Sequence, residues 1–180
     1  NYSEGTDFNH MMLALPLKKW TPQELIDLSV RNGTYFEPGK GWHYSNTNTI
    51  MLGLIIEKLT GNTLANEIKV RIIDKLGMKE TDFPAVPEIS GFYPRGYDED
   101  DNTWVYPLVD VTEKYDPSWA WAAGAIVSTL GDLKIYLKAL TEGTLLSKET
   151  QEERLKWGLD KPGIKYGFGI FEVGTGYFGH

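Results

Sequence analysis

The chain has 180 residues, 41% hydrophobic and 24% charged, which suits one globular domain or part of a larger one. A formal net charge of −7, with Lys and Arg scattered among acidic residues, argues against a nucleic-acid partner, because phosphate binding needs clustered cations. The absence of cysteine excludes disulfides, thiolate metal sites and thiol nucleophiles.

Residues 1–20 read as irregular, with a short apolar patch at 11–17; His10, beside Met11, reads as a packed or surface histidine. Thr21, Pro22 and Glu24 then form a strong helix start: an N-cap, a proline at the first helical position and the second half of a capping box. That helix is predicted to run to about Asn32, with Gly33 as its stop. A loop over 34–41 contains the Pro38-Gly39 turn and delivers Trp42, His43, Tyr44, Ser45 and Asn46 to the head of a second helix over 47–60. Taken locally, this stretch is a turn and a cap by Ser45 or Asn46.

The apolar positions Ile50, Met51, Leu54, Ile55 and Leu59 predict a largely buried face, with Gly61 as the stop. Thr63 is predicted to cap a third helix through Leu76, with a stripe of Leu64, Ile68, Ile72 and Leu76 and a stop at Gly77. The apolar run at 50–56 is too short to span a bilayer.

Residues 79–119 are rich in Pro, Gly, Asp and aromatics, with β-like pieces over 103–111; so long a loop region is often functional. Asp98, Glu99, Asp100 and Asp101 lack calcium-loop spacing and read as a solvated acidic turn. Ser128 is expected to cap a fourth helix with Leu133, Tyr136, Leu137 and Leu140 inward, and Ser147 a polar fifth helix to about Trp157. The end reads as a strand over 166–171, a turn at Gly174-Thr175-Gly176 and a strand over 177–180. The open edges of that hairpin, and Asn1 in place of Met, lead to the expectation that this is a piece of a longer chain.

His10, His43 and His180 are far apart and give no metal-ligand spacing, and no phosphate loop or Gly-x-Ser-x-Gly elbow is present. Longer-range motifs are more informative. Phe36, Pro38, Gly39, Trp42, Tyr44, Ser45, Asn46, Thr47 and Asn48, continuing to Leu52-Gly53, Ile55, Ile56, Glu57 and Thr60-Gly61, resemble the Tyr-Ser-Asn region of the serine β-lactamase-like family. That family includes class C β-lactamases, D-alanyl-D-alanine carboxypeptidases, D-aminopeptidases and esterases. Leu76-Gly77-Met78 with Thr81 and Phe83 is similar to a second family segment, although Lys75 stands where Pro is usual. Ala123-Gly124-Ala125 with Val127-Ser128-Thr129 and Asp132-Leu133 is similar to a third, and Gly179-His180 to the start of a His-x-Gly motif.

The resemblance implies an α+β, β-lactamase/transpeptidase-like fragment covering most of the helical domain and the first strands of the α/β domain. The division expected is a helical domain over 1–120 and the incomplete α/β part over 121–180. Tyr44 is implied as the base that takes the nucleophile's proton, a task requiring a neighbouring cation to lower a phenol pKa near 10. Asn46 is implied to bond that cation and the substrate amide, and His180 to face the substrate carboxylate. Trp119 and Trp121 are candidates to line the substrate pocket, weighed against a plain core role. His43, alternating to the other side of an extended segment, reads as non-catalytic.

None of the serines at 3, 29, 45, 90, 118, 128 and 147 is followed three residues later by Lys, so the family's Ser-x-x-Lys nucleophile motif is not in this chain. The function implied for the parent is acyl-enzyme hydrolysis of D-amino-acid peptides, without cofactor or metal, by a carboxypeptidase or D-aminopeptidase. The alternatives are a β-lactamase or esterase of the same fold, or a non-catalytic penicillin-binding or sensor relative. A small peptide, β-lactam or ester substrate and an extracytoplasmic location follow from the same resemblance.

Overall fold

A computed structural model describes residues 1–99, 108–174 and 176–179 and shows an α+β chain, as the sequence implies. Asp100, Asp101, the 103–107 part of the expected β segment, Thr175 and His180 lie outside the described residues. The chain forms two compact units, one of Asn1–Glu67 with Phe83–Val127, the other of Ile68–Asp82 with the residues from Ser128 on.

In the first unit, a 3₁₀ turn at Tyr2–Glu4 leads into helix α1 (Thr6–Ala14), followed by α2 (Pro22–Arg31) and α3 (Asn46–Thr60). Helix α1 corrects the expectation of irregular structure over 1–20. Its N-cap, Gly5, has no side chain to announce it. The helix is held instead by Phe8, which packs edge-on against Tyr2 at 5.1 Å and against Trp20 at 5.3 Å. Tyr2, Phe8, Trp20, Leu25, Leu28 and Ile50 make the buried core.

The capping box at α2 forms as expected, with Thr21 Oγ1 accepting from the Glu24 amide and Glu24 from the Thr21 amide. Two strands, β1 (Tyr97–Glu99) and β2 (Leu108–Asp110), pair antiparallel. The loop that follows is tied to the N-terminal region: the Asp116 amide donates to Pro16 O at 3.0 Å, and the Trp20 amide to Ser118 Oγ at 2.8 Å.

Helix α3 runs as predicted to Gly61, which takes the left-handed conformation. Its burial corrects the expectation of a wide buried face. Only Thr47, Ile50 and Gly53 are buried, while Met51, Leu52, Ile55, Ile56 and Leu59 are exposed, Leu59 at 80%. A helix that is apolar all round gives no sign of which strip its neighbours will use. Here the strip is set by close approach: a Cβ on Gly53 would meet the Trp121 ring at 2.8 Å and Ala122 Cβ at 2.9 Å. Thr63 caps the next helix, α4 (Leu64–Ile68), as predicted, accepting from the Asn66 amide at 3.3 Å, and Glu57 accepts from the Leu64 amide at 2.9 Å.

The helix continues as a π segment, Lys69–Ile73, before α5 (Asp74–Leu76). The Asp74 amide bonds Lys69 O, a span of five residues, and left-handed Gly77 then closes the helix with the Met78 amide on Ile73 O and its own amide on Asp74 O. This extra residue breaks the predicted stripe, so Ile73 is buried in place of Ile72.

The second unit contains this π segment, α6 (Leu130–Glu142), α7 (Lys148–Arg154) and a four-stranded antiparallel meander. The strands are β3 (Leu159–Lys161), β4 (Ile164–Tyr166), β5 (Ile170–Val173) and β6 (Gly176–Gly179), where the sequence suggests only the last hairpin. The predicted strand over 166–171 is divided by the turn at Gly167–Gly169, since the Gly167 amide closes on Ile170 O at 2.9 Å.

Thr129, not Ser128, caps α6 by accepting from the Asp132 amide. The inner face of α6 is also narrower than predicted: Leu140 is buried with Ala139 and Asp132, while Leu133 and Leu137 are exposed. Ser128 Oγ is engaged with Thr81 Oγ1 at 2.7 Å. Asp132, only 6% exposed, accepts from both the Glu80 amide and Thr81 Oγ1 at 2.8 Å. The Leu-Gly-Met…Thr and Ser-Thr-x-x-Asp segments are therefore two halves of one buried polar staple.

Candidate active site

The loop ending at Trp42 brings the chain extended into Ser45, whose backbone dihedrals of −151° and 115° place it as the N-cap of α3. The Ser45 hydroxyl makes no capping bond, which corrects the expectation of a side-chain cap there. Asn46 is the first helical residue, and its side chain turns away from the backbone. The Tyr44 hydroxyl donates to Asn46 Oδ1 at 2.8 Å, and Asn46 Nδ2 donates to Ser3 Oγ at 3.0 Å. Ser3 Oγ in turn donates to Asn1 Oδ1 at 3.1 Å. Tyr44 and Asn46 are thus brought into direct contact.

The 3₁₀ turn at Tyr2–Glu4 holds this stretch residue by residue. The Tyr2 amide donates to Thr47 Oγ1 at 3.1 Å, Ser3 meets Asn46, and Glu4 meets Tyr35 and His43. Tyr2 itself is fully buried and donates its hydroxyl to the Trp119 carbonyl at 2.7 Å. Burial, aided by the nearby Tyr44 phenol, pushes the Tyr2 pKa up, so it stays a neutral donor. The Tyr35 hydroxyl bonded to Glu4 holds that carboxyl below its ordinary value and raises its own.

None of Tyr2, Ser3, Glu4 or Tyr35 stands out in the sequence. Their partners lie more than thirty residues away, and no local pattern signals such a pairing.

Trp119 and Trp121 pack on the core of the first unit: the Trp119 ring lies 6.1 Å from Phe8, and Trp121 lies against Gly53. Trp121 also has a φ of 36°, a conformation that costs a bulky residue energy and persists only where packing enforces it. Among the described residues, no group of three or more His, Asp or Glu side chains is placed to hold a metal ion.

The Beta-lactamase family model matches residues 5–180. Penicillin-binding protein 4* of Bacillus subtilis (strain 168) is 34% identical over 161 residues, covering 82% of this chain and 35% of its own length. The structure of a D-stereospecific amidohydrolase from Streptomyces sp. superposes with a TM-score of 0.87 at 29% identity, over 95% of this chain and 52% of that one. D-amino acid amidase from Ochrobactrum anthropi SV3, solved with D-phenylalanine, gives 0.73 at 31% identity over 91% and 50%. The chain therefore spans about a third of the length of that curated relative and about half that of the structural ones. The match over nearly every residue, together with the β-lactamase/transpeptidase-like fold, shows that this chain belongs to the Beta-lactamase family.

Proposed function

We propose that the full-length protein carrying this chain is a serine hydrolase that forms an acyl-enzyme on amides or peptides of D-amino acids, as a D-aminopeptidase or D-alanyl-D-alanine carboxypeptidase. The observation that carries this reading is the Tyr44–Asn46 hydrogen bond at the head of α3, in a chain that superposes closely on a D-stereospecific amidohydrolase. In the proposed cycle a serine outside this chain attacks the substrate carbonyl while Tyr44, as phenolate, takes its proton. Tyr44 then passes that proton to the departing amine. Water next attacks the acyl-serine, giving its proton to Tyr44, which returns it to the serine oxygen as the acyl–oxygen bond breaks, so that the acid product leaves with the serine and the Tyr44 phenolate restored.

Asn46, held by Ser3, fixes the direction of the Tyr44 hydroxyl and offers an amide to the neighbouring cation and the substrate. His180 is assigned to the substrate's carboxylate side by its motif. Trp121, packed against Gly53 of α3, and Trp119, packed on Phe8, are both half-buried and are assigned to the pocket wall. The location that goes with this role is outside the cytoplasmic membrane.

The test is hydrolysis of D- against L-phenylalanine amide, and of D-alanyl-D-alanine peptides, by the full-length protein, with covalent labelling by a fluorescent penicillin. Tyr44→Phe is expected to lower kcat by roughly 10²–10⁴-fold. Absence of both labelling and D-amide turnover would sink the proposal.

A further inference from the structure

His43 is placed by three contacts, although nothing in the proposed cycle uses it. Its ring lies flat on Tyr35, centroids 3.8 Å apart and planes within 8°. Its Nδ1 lies 2.7 Å from the carbonyl oxygen of Tyr44, and its Nε2 3.9 Å from Glu4 Oε2. Glu4 is itself fixed by the Tyr35 hydroxyl, which donates to the same carboxylate oxygen. A carbonyl oxygen can only accept, so the 2.7 Å contact requires the proton on Nδ1. In the neutral ring Nε2 is then bare; when the ring is protonated, Nε2–H faces Glu4.

The titratable groups facing the imidazole are Glu4 and Tyr35, with Tyr44 as its chain neighbour. Glu4, Tyr35 and His43 thus close a loop of contacts that ends on the backbone of the proposed base.

Tyr44 is held from two sides. Asn46, backed by Ser3, fixes its hydroxyl, and His43, backed by Glu4 and Tyr35, fixes its peptide. Ser3 and Glu4 are consecutive residues of one 3₁₀ turn, so a single short element sets both ends of the tyrosine. The geometry points to His43 as a positioning residue for Tyr44, acting as an Nδ1–H donor held by its stack on Tyr35, whose hydroxyl is anchored in turn by Glu4. This rests on the proposed role of Tyr44. His43 touches no reacting atom and is not catalytic. Its effect is on the aim of the phenol, and a displacement of about 1 Å at a reacting group is worth as much as a hundredfold in rate.

The experiment uses the full-length protein with two variants. His43→Phe keeps a ring to stack on Tyr35 but has no donor, while His43→Asn restores a donor near the Nδ1 position. With D-phenylalanine amide as substrate, His43→Phe is expected to lower kcat and kcat/KM together by roughly ten- to a hundredfold, with KM nearly unchanged, and His43→Asn to recover most of that loss. Nitrogen-15 NMR of the wild type should show neutral His43 as the Nδ1–H tautomer, and ring-carbon-labelled Tyr44 should lose its single sharp environment in His43→Phe.

An unchanged kcat in His43→Phe would overturn the inference. So would an Nε2–H tautomer in the wild type, or a Tyr44 spectrum indifferent to the substitution. If the wild type neither turns over D-amides nor is labelled by penicillin, the proposed activity fails instead. The two NMR measurements then decide alone whether His43 holds Tyr44.

Discussion

Gly53→Ala tests how tightly α3 is pressed against the segment that carries Trp121. A methyl group there would stand 2.8 Å from two ring carbons of Trp121 and 2.9 Å from Ala122 Cβ. Carbon atoms pack best at about 3.5–4.0 Å, so three contacts overlap by roughly 0.7 Å. Trp121 has little room to yield. Its φ is 36°, and its carbonyl accepts from the amides of Gly124 and Ala125 at 3.3 and 3.1 Å.

Overpacking of this kind costs about 1–3 kcal/mol, while replacing a mid-helix glycine by alanine returns about 1 kcal/mol of helix propensity. The expected balance is a net destabilisation of up to about 2 kcal/mol, or a fall in Tm of up to roughly 8 °C. Gly131→Ala in α6 is the control: its added methyl meets only Thr129 Oγ1, at an ordinary 3.6 Å. There the gain of about 0.4–1 kcal/mol stands unopposed. Urea and thermal unfolding of the two variants, followed by tryptophan fluorescence and circular dichroism, give the comparison. If Gly53→Ala stabilises the protein as Gly131→Ala does, the Trp121 ring is free to swing aside and the enforced approach is refuted.

Asp132→Ala is expected to cost about 1.5–3 kcal/mol, because it removes the buried carboxylate that accepts from the Glu80 amide and from the Thr81 hydroxyl, which keeps only Ser128 Oγ; faster hydrogen exchange at the Glu80 amide would report it. Glu24 is held at a pKa of about 2, chiefly by the Lys18 ammonium at 2.7 Å and then by the Thr21 amide. Because this folded-state value lies below the usual carboxylate range, the stabilisation is complete above about pH 4.5 and is lost as the pH falls through 2. Lys18→Met should move the Glu24 carboxyl resonance titration upward, and an unmoved titration would rule out the ammonium as the main cause.

The features legible in the sequence are those decided within a few residues. Thr21, Pro22 and Glu24 announce α2, and Gly61 and Gly77 end their helices in the left-handed conformation, because caps and stops are local hydrogen-bond problems. Helix α1 was hidden because its N-cap is a glycine and its stability comes from Phe8 packing on Tyr2 and Trp20. Ser128 and Thr129 are equally good caps by composition. The choice between them is made by Thr81, forty-seven residues earlier. Tyr44 and Asn46 were identified by motif, but the Ser3, Glu4, Tyr35 and His43 contacts around them join segments whose proximity exists only after folding.

The π segment at Lys69–Ile73 has a consequence for how this region can change length. One turn there holds a residue more than an α-helix needs, so deleting a single residue would be absorbed by a return to regular winding rather than by a broken helix. The downstream chain would be spared. Everything after the deletion would keep its phase, whereas the same deletion in a regular α-helix would rotate Met78, Glu80 and Thr81 by about 100° and slide them back by about 1.5 Å. Glu80 and Thr81 are the donors that meet Asp132. The surplus residue therefore works as a phase adjuster, and a homologue shortened by one residue within this turn could keep the same staple to its Asp132 equivalent.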